Sequence, residues 1–305
     1  MNETAGEERA AEKFDVVIRN GRLIDGTGAP ARAMNVAVMG ERIAAIAAPE
    51  DSGHWWGDLE IDASDRVLAP GFIDVHTHDD NAVLINPAMA AKISQGVTTV
   101  IVGNCGISLA PITDIEPPPP LNLLGGRERF QYQTMAAYLA AVTETKPSVN
   151  VAALVGHSTL RAGAMDRLDR GATADEIEVM KEKLAASLDA GAIGLSTGLY
   201  YKTAGAADME EVIALAEVMS ETGGIYTTHM RDEANHIIDS LTETQTTAQR
   251  AGVPVVVSHH KCSQPANWGR SPETLAFIEE ARKSTVMGLD AYPYAAGSTR
   301  RHRDR

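Results

Sequence analysis

The chain has 305 residues, 44% of them hydrophobic and 22% charged, with a formal net charge of −14. This is the make-up of a globular protein, long enough for one large domain or a barrel with a small satellite. The acidic balance argues against nucleic acid or an anionic membrane surface as partner. Two cysteines, Cys105 and Cys262, form no disulfide framework. The N-terminus is charged and lacks the apolar core of a signal peptide, and no run reaches membrane-spanning length, so the cytoplasm is expected.

Residues 1–13 read as a flexible lead-in and residues 14–66 as a small β unit. FDVVI runs into Asn20-Gly21, a good tight-turn pair, and then into RLIDG; NVAVM and RIAAIAA are separated by Gly40-Glu41. Strands this few bury little alone, so the unit needs a partner. From residue 67 the rhythm becomes strand, loop, helix. The strands are VLAPGFIDVHTH, TTVIVGNC, VNVAALVGH, AIGLSTG, GIYTTH, VPVVVSHH and VMGLDAYPY. Helical patterns lie near 87–95, 133–144, 208–223 and 234–251. Another runs from a capping box at Thr173 and Glu176 to Leu188, and a last one starts at Ser271 as N-cap with Pro272 first in the helix. Strands alternating with helices imply a parallel sheet, and seven repeats imply an α/β fold of the (β/α)8 barrel type, one strand short, over residues 67–298. Segment 103–132, with Pro117 to Pro120 and Gly125-Gly126, is a long loop after a barrel strand and reads as functional.

The segment GFIDVHTHDDN, residues 71–81, runs an apolar strand into two histidines and two aspartates. Alternation puts Phe72, Asp74, His76 and His78 on one face, and Ile73, Val75 and Thr77 on the other, packed on helices. The polar face then looks into the C-terminal mouth, where barrels of this type carry their active sites. The other strand ends, GNCG, GHS, THM and SHHK, bring Cys105, His157, His229, His259 and His260 to the same rim. A thiolate with imidazoles is a typical zinc set, and zinc with three protein ligands and a water is hydrolytic. His157 reads as bonded to neighbouring loops. Strand alternation lets one of His259 and His260 face inward. His236, on a helix, and His54, in a Trp-containing loop, read as structural or exposed, and Cys262 as non-ligating.

The blocks APGFIDVHTHDDN, ISQGVTTVIVGNCGISLAP, VGHSTLR, GAIGLSTGL, THMRDE, VVVSHHK and LDAYPYAAGST resemble the D-aminoacylase (N-acyl-D-amino-acid deacylase) family of the amidohydrolase superfamily, from Phe14 to Ser298. The resemblance implies a metal-dependent (β/α) barrel beside a small β-sandwich built from both chain ends. It also implies that Cys105, His229 and His259 hold a tightly bound zinc, with Cys105 where many relatives use a carboxylated lysine. His76 and His78 would form a second, weaker metal position. Lys261, Tyr292 and Ser298 would bind the substrate carboxylate. The implied reaction is hydrolysis of a small-molecule N-acyl-D-amino acid to a carboxylate and a free D-amino acid.

The family pattern continues with an eighth strand, an acid/base aspartate after it, a further arginine and the returning strands of the small domain. This sequence ends STRRHRDR, and residues 299–305 read as an aberrant basic tail. The expectation is an early stop or frameshift near Thr299. It would leave a partial sandwich, a barrel truncated before strand eight with open edges at its first and seventh strands, and no assigned catalytic residue. Asp79, Asp80 and Asp290 are not expected where that aspartate should be. Two other readings compete: a cyclic-amidase relative of the hydantoinase or dihydroorotase kind, against which Cys105 argues, and an inactive metal-binding fragment.

Overall fold

The computed structural model describes residues 10–296, so Ser298 and the basic tail lie outside the described residues. The chain divides into two units after Gly71. In the first, β1 (Glu12–Leu23) pairs antiparallel with β2 (Arg32–Met39), and β2 with β3 (Arg42–Ala47). Both β4 (Trp55–Asp62) and β5 (Val67–Leu68) join β1 in parallel, giving one five-stranded sheet. Phe14, Val17, Ala37 and Trp55 form its small core.

Three local expectations change here. Asn20-Gly21 does not turn the chain. Asn20 is left-handed (φ 61°), the register slips between Ile18 and Gly21, and the Asn20 N–H donates to Asn35 Oδ1 at 2.7 Å. The pair is therefore a bulge inside one long strand, because a side-chain acceptor on β2 satisfies the amide that a hairpin would have used. Trp55 and Trp56 open a strand rather than lie in a loop. Residues 67–78 are not continuous: Val67 and Leu68 pair with β1, and Pro70, which has no N–H to donate, separates them from β6 (Phe72–Asp74).

The second unit follows β6 with the short helices α1 (Ala82–Ile85) and α2 (Ala90–Ile93), then β7 (Val97–Val102). Next come the two-stranded β8 (Ile112–Thr113) and β9 (Gln131–Tyr132), α3 (Met135–Thr145), β10 (Asn150–Gly156), α4 (His157–Ala164) and α5 (Ala174–Asp189). The chain continues through β11 (Gly194–Gly198), α6 (Met209–Ala216), β12 (Ile225–His229), α7 (Ile237–Ala251), β13 (Val255–Val257), α8 (Ser271–Ala281) and β14 (Met287–Leu289). The sheet order is β6-β7-β10-β11-β12-β13-β14, and every pair is parallel. Strand order that follows chain order, with a helix between each pair of successive strands, is the winding of a (β/α) barrel and not of a doubly wound sheet.

The capping box of Thr173 and Glu176 starts α5 as expected. Ser271 is already helical, capped by Arg270, so Pro272 stands second. Helix α4 was not expected; it begins at His157 directly from β10, without a side-chain cap to announce it. The long loop expected at 103–132 packs into the main core, where Ile107, Leu109, Leu121, Leu124 and Phe130 are buried. Ile73 and Val75 do not pack on helices but stay exposed, because β6 is an outer strand. No helix of the described residues is long and apolar enough to cross a membrane.

A buried ionic knot ties α4 to α6. Glu211 accepts from His157 Nε2 at 2.9 Å, from Arg161 Nη1 and from the Ala172 N–H at 3.0 Å. Burial alone would raise the Glu211 carboxyl; the bonds from His157 and Arg161 outweigh it and bring it from 4.5 to about 2. A depressed carboxylate contributes stability that is complete above its unfolded value and is lost as pH falls through the folded one. Urea unfolding across a pH series should therefore show stability declining below about pH 4.5 toward 2. Glu211→Gln should cost about 3–5 kcal/mol at neutral pH, since it strands a buried Arg161.

Candidate metal centre

The parallel sheet gathers its C-terminal strand ends on one side, and side chains from five of them meet there. His76 follows β6, Cys105 follows β7, His229 ends β12, His259 lies just past β13 and Asp290 just past β14. His76 Nε2 lies 3.1 Å from Cys105 Sγ, Cys105 Sγ 3.5 Å from His259 Nε2, and His259 Nε2 2.9 Å from His229 Nδ1. The His78 ring stands edge-on to His76, with centroids 5.8 Å apart. His78, Cys105, His229 and His259 border a cavity of about 500 Å³, also lined by Tyr200, Tyr201, Glu233, Lys261 and Tyr292.

Two of these residues sit in strained backbone. Cys105 (φ 54°) and His259 (φ 37°) are left-handed without being glycine, at roughly 1–3 kcal/mol each. The loop at Cys105 fits only because its neighbours lack side chains. A Cβ on Gly106 would lie 2.7 Å from Gly198 N, and one on Gly198 2.2 Å from the Cys105 carbonyl oxygen. The His259 N–H donates to Asp290 Oδ1 at 2.6 Å, which holds its conformation, while Asp290 Oδ2 lies 3.2 Å from His76 Nδ1. One carboxylate thus orients the His76 imidazole and fixes the backbone that presents His259.

The donor set fits a soft divalent metal. Tetrahedral zinc, with bonds of roughly 2.0 Å to nitrogen and 2.3 Å to sulfur, separates its ligand atoms by roughly 3.3–3.6 Å. The His76–Cys105, Cys105–His259 and His259–His229 contacts lie near that spacing, and His259 is common to two sets of mutually close ligand atoms, one with His76 and Cys105 and one with His229 and Glu233. Burial and the neighbouring His259 lower His229 to about 3, so it is a neutral imidazole with a lone pair to give. Burial, with Glu233 and Asp290 nearby, pushes the Cys105 thiol up. Burial would also raise Glu233, but its bond with His259 and the charges around it bring it down to about 2.

Residues 59–286 match the model of the amidohydrolase family. The chain belongs to that family. It is 48% identical to the D-aminoacylase of Alcaligenes xylosoxydans xylosoxydans over 97% of this chain and 60% of that protein. It is 44% identical to the N-acyl-D-aspartate deacylase of the same organism over 100% of this chain and 61% of that protein. The chain therefore spans about 60% of the length of these curated relatives. A D-aminoacylase structure described as having a binuclear metal centre, activated by one metal and attenuated by the second, superposes with a TM-score of 0.90 at 49% identity, covering 93% of this chain and 59% of that one. The N-acyl-D-glutamate deacylase of Bordetella bronchiseptica, complexed with zinc and a phosphonate inhibitor, superposes at 0.87 and 44% identity over the same shares. The L-hydantoinase of Arthrobacter aurescens, at 0.59 and 17% identity over 92% of this chain and 58% of that one, shares the fold.

The residues expected at the rim divide into two groups. Cys105, His229, His259, His76 and His78 come together. Lys261 stands beside them, 5.7 Å from the centre of the Tyr292 ring. His157 turns away into the Glu211 knot, and His260 Nε2 bonds Thr274 Oγ1 at 2.9 Å. His259 wins the inward place through its left-handed kink, not through strand alternation, since β13 ends at Val257. Likewise Asp74 does not share a face with His76: β6 stops at Asp74, whose Oδ2 is 2.7 Å from Lys92 Nζ. Cys262 is half-buried and borders a neighbouring cavity, and His54 and His236 lie near Glu12 and Asp239. Sequence reasoning missed Glu233 and the orienting role of Asp290. Glu233 sits four residues past His229 in THMRDE, and Asp290 at a strand end as the histidines do, which are the signals that could have found them.

Asp290→Ala should weaken zinc binding about 10–100-fold in chelator competition, by releasing the His76 imidazole and the backbone kink that presents His259. Cys105 must lose a proton to ligate, so zinc affinity should rise with pH, by roughly tenfold per unit over the range in which the thiol stays protonated.

Proposed function

We propose that this chain carries the metal-binding and substrate-anchoring part of a zinc-dependent N-acyl-D-amino-acid deacylase. Such an enzyme cuts a linear amide to a carboxylate and a free D-amino acid. The observation that carries the reading is the convergence of Cys105, His229 and His259 in a cavity that Lys261 also lines. The similarity to D-aminoacylase, and to a zinc-bound N-acyl-D-glutamate deacylase, supports it.

Cys105, His229 and His259 would hold the tight zinc, and His76 with His78 a second, weaker position. Bound zinc supplies a Lewis acid for the amide carbonyl and a water of lowered pKa. Lys261 would pair with the α-carboxylate, with Tyr292 beside it as a hydrogen-bond donor, so that the amide is turned toward the cluster. Ser298 joins this anchor by resemblance. Tyr200 lies flat against His229, with ring centroids 5.5 Å apart, and walls the cavity on that side. Asp290 is engaged with His76 and His259, Asp79 faces Lys92, and burial pushes Asp80 up to about 7 inside the core. None of the three stands in for the acid/base aspartate that the resemblance places after an eighth strand. The unpaired thiols of Cys105 and Cys262 suit a reducing cytoplasm.

Metal analysis of gel-filtered protein tests the reading. About one tightly held zinc per chain is expected, lost in Cys105→Ala and kept in Cys262→Ala. The zinc-loaded protein should bind N-acetyl-D-methionine in preference to its L enantiomer. Folded protein that takes up no zinc, or that prefers hydantoin to either methionine derivative, would overturn the proposal.

A further inference from the structure

Glu233 is shared between the imidazole cluster and the lysine beside it. Its Oε1 lies 2.8 Å from His259 Nδ1 and its Oε2 2.6 Å from Lys261 Nζ. Lys261 Nζ itself lies 2.9 Å from His259 Nδ1. Both the lysine and the carboxylate therefore compete for one ring nitrogen. If Nδ1 carries the proton, Glu233 Oε1, which has no other hydrogen-bond partner among the described residues, is the acceptor within reach; if Nδ1 is bare it accepts from Lys261. The two cases are opposite tautomers, and only the first leaves a lone pair on Nε2. Nε2 is the atom that faces Cys105 and His229.

We infer that Glu233 is a positioning residue that couples metal binding at His259 to carboxylate binding at Lys261. The inference rests on the reading of His259 as a zinc ligand and of Lys261 as the carboxylate anchor. An anionic ligand that draws Lys261 toward itself removes the donor competing for Nδ1. It also leaves Glu233 less neutralised, hence a stronger acceptor for the Nδ1 proton. Both effects favour the tautomer that can ligate. Reciprocity then requires that metal at Nε2 strengthens carboxylate binding at Lys261 by the same factor. The coupling is local and rigid, because Glu233 is buried and its carbonyl accepts from the Ser263 N–H at 2.7 Å, tying it to the loop that carries Lys261.

The test is zinc affinity by chelator competition, with and without 4-methylpentanoate, a carboxylate that has no amide to cut and no amine to chelate zinc. In the wild-type protein the carboxylate should tighten zinc binding about five- to tenfold, at the lower end of typical coupling. In Glu233→Gln zinc should bind about 10–100-fold more weakly, and the carboxylate should no longer alter it. Lys261→Met should keep zinc but lose the tightening. Glu211→Gln, which loosens the fold away from the cluster, should retain it, and this separates coupling from stability. Wild-type protein that holds no zinc overturns the zinc reading, and this inference with it. Wild-type protein that holds zinc without tightening overturns the inference alone, as does tightening that survives in Glu233→Gln and Lys261→Met.

Discussion

The hydrogen bond between His76 and Asp290 joins the two outer strands of the sheet. His76 follows β6 at one edge and Asp290 follows β14 at the other, yet their side chains lie 3.2 Å apart. Such an approach requires the seven parallel strands to curl until their C-terminal ends face a common interior. Everything at the candidate site depends on that curl. It sets the His76 ring 4.9 Å from that of His259, centroid to centroid, and brings Cys105 Sγ within 3.5 Å of His259 Nε2. A flat sheet with the same strands would carry the same residues and no cluster.

The second requirement is close backbone approach. The left-handed turn at Cys105 carries its thiol into the interior, but brings its carbonyl against β11. Gly106 and Gly198 admit it where any side chain would collide. Polar groups offset the strain: Ser196 Oγ accepts from the Gly106 N–H at 2.9 Å and donates to the Gly103 carbonyl. The kink at His259 is held from the other side by Asp290. The two strained residues are thus fixed by groups from strands other than their own, which is the usual condition for strain to persist at a functional site.

Much of this was legible in the sequence because the strand ends are repetitive in kind. Histidine or cysteine closing an apolar run, several times over, is visible without coordinates, and it located Cys105, His229 and His259 before any distance was known. The resemblance supplied which histidine of the pair 259–260 faces inward. What remained hidden were features that only the assembled fold defines. Glu233 lies in no helix or strand, so no periodicity marks it. Asp290 was weighed as a base, whereas its bonds make it a support for the His76 imidazole and the His259 backbone. Asn20-Gly21 has the composition of a hairpin turn, but Asn35 on the next strand converts it to a bulge. His157 ends an apolar run as the others do, and differs only because a helix begins there and Glu211 waits for it.

The distance along the chain between the clustered residues has a consequence for how the molecule comes to exist. Positions 76, 105, 229, 259 and 290 meet only after nearly the whole second unit has been wound, so no early intermediate can hold the full donor set. Contacts of such long sequence separation form late and slowly. A metal bound there would act as a long-range staple, stabilising the finished fold and little that precedes it, since its free energy is available only to chains that already have the shape to receive it. In a cell, the ion would then report completion: chains that have wound properly retain it, and those that stall remain apo and exposed to proteases.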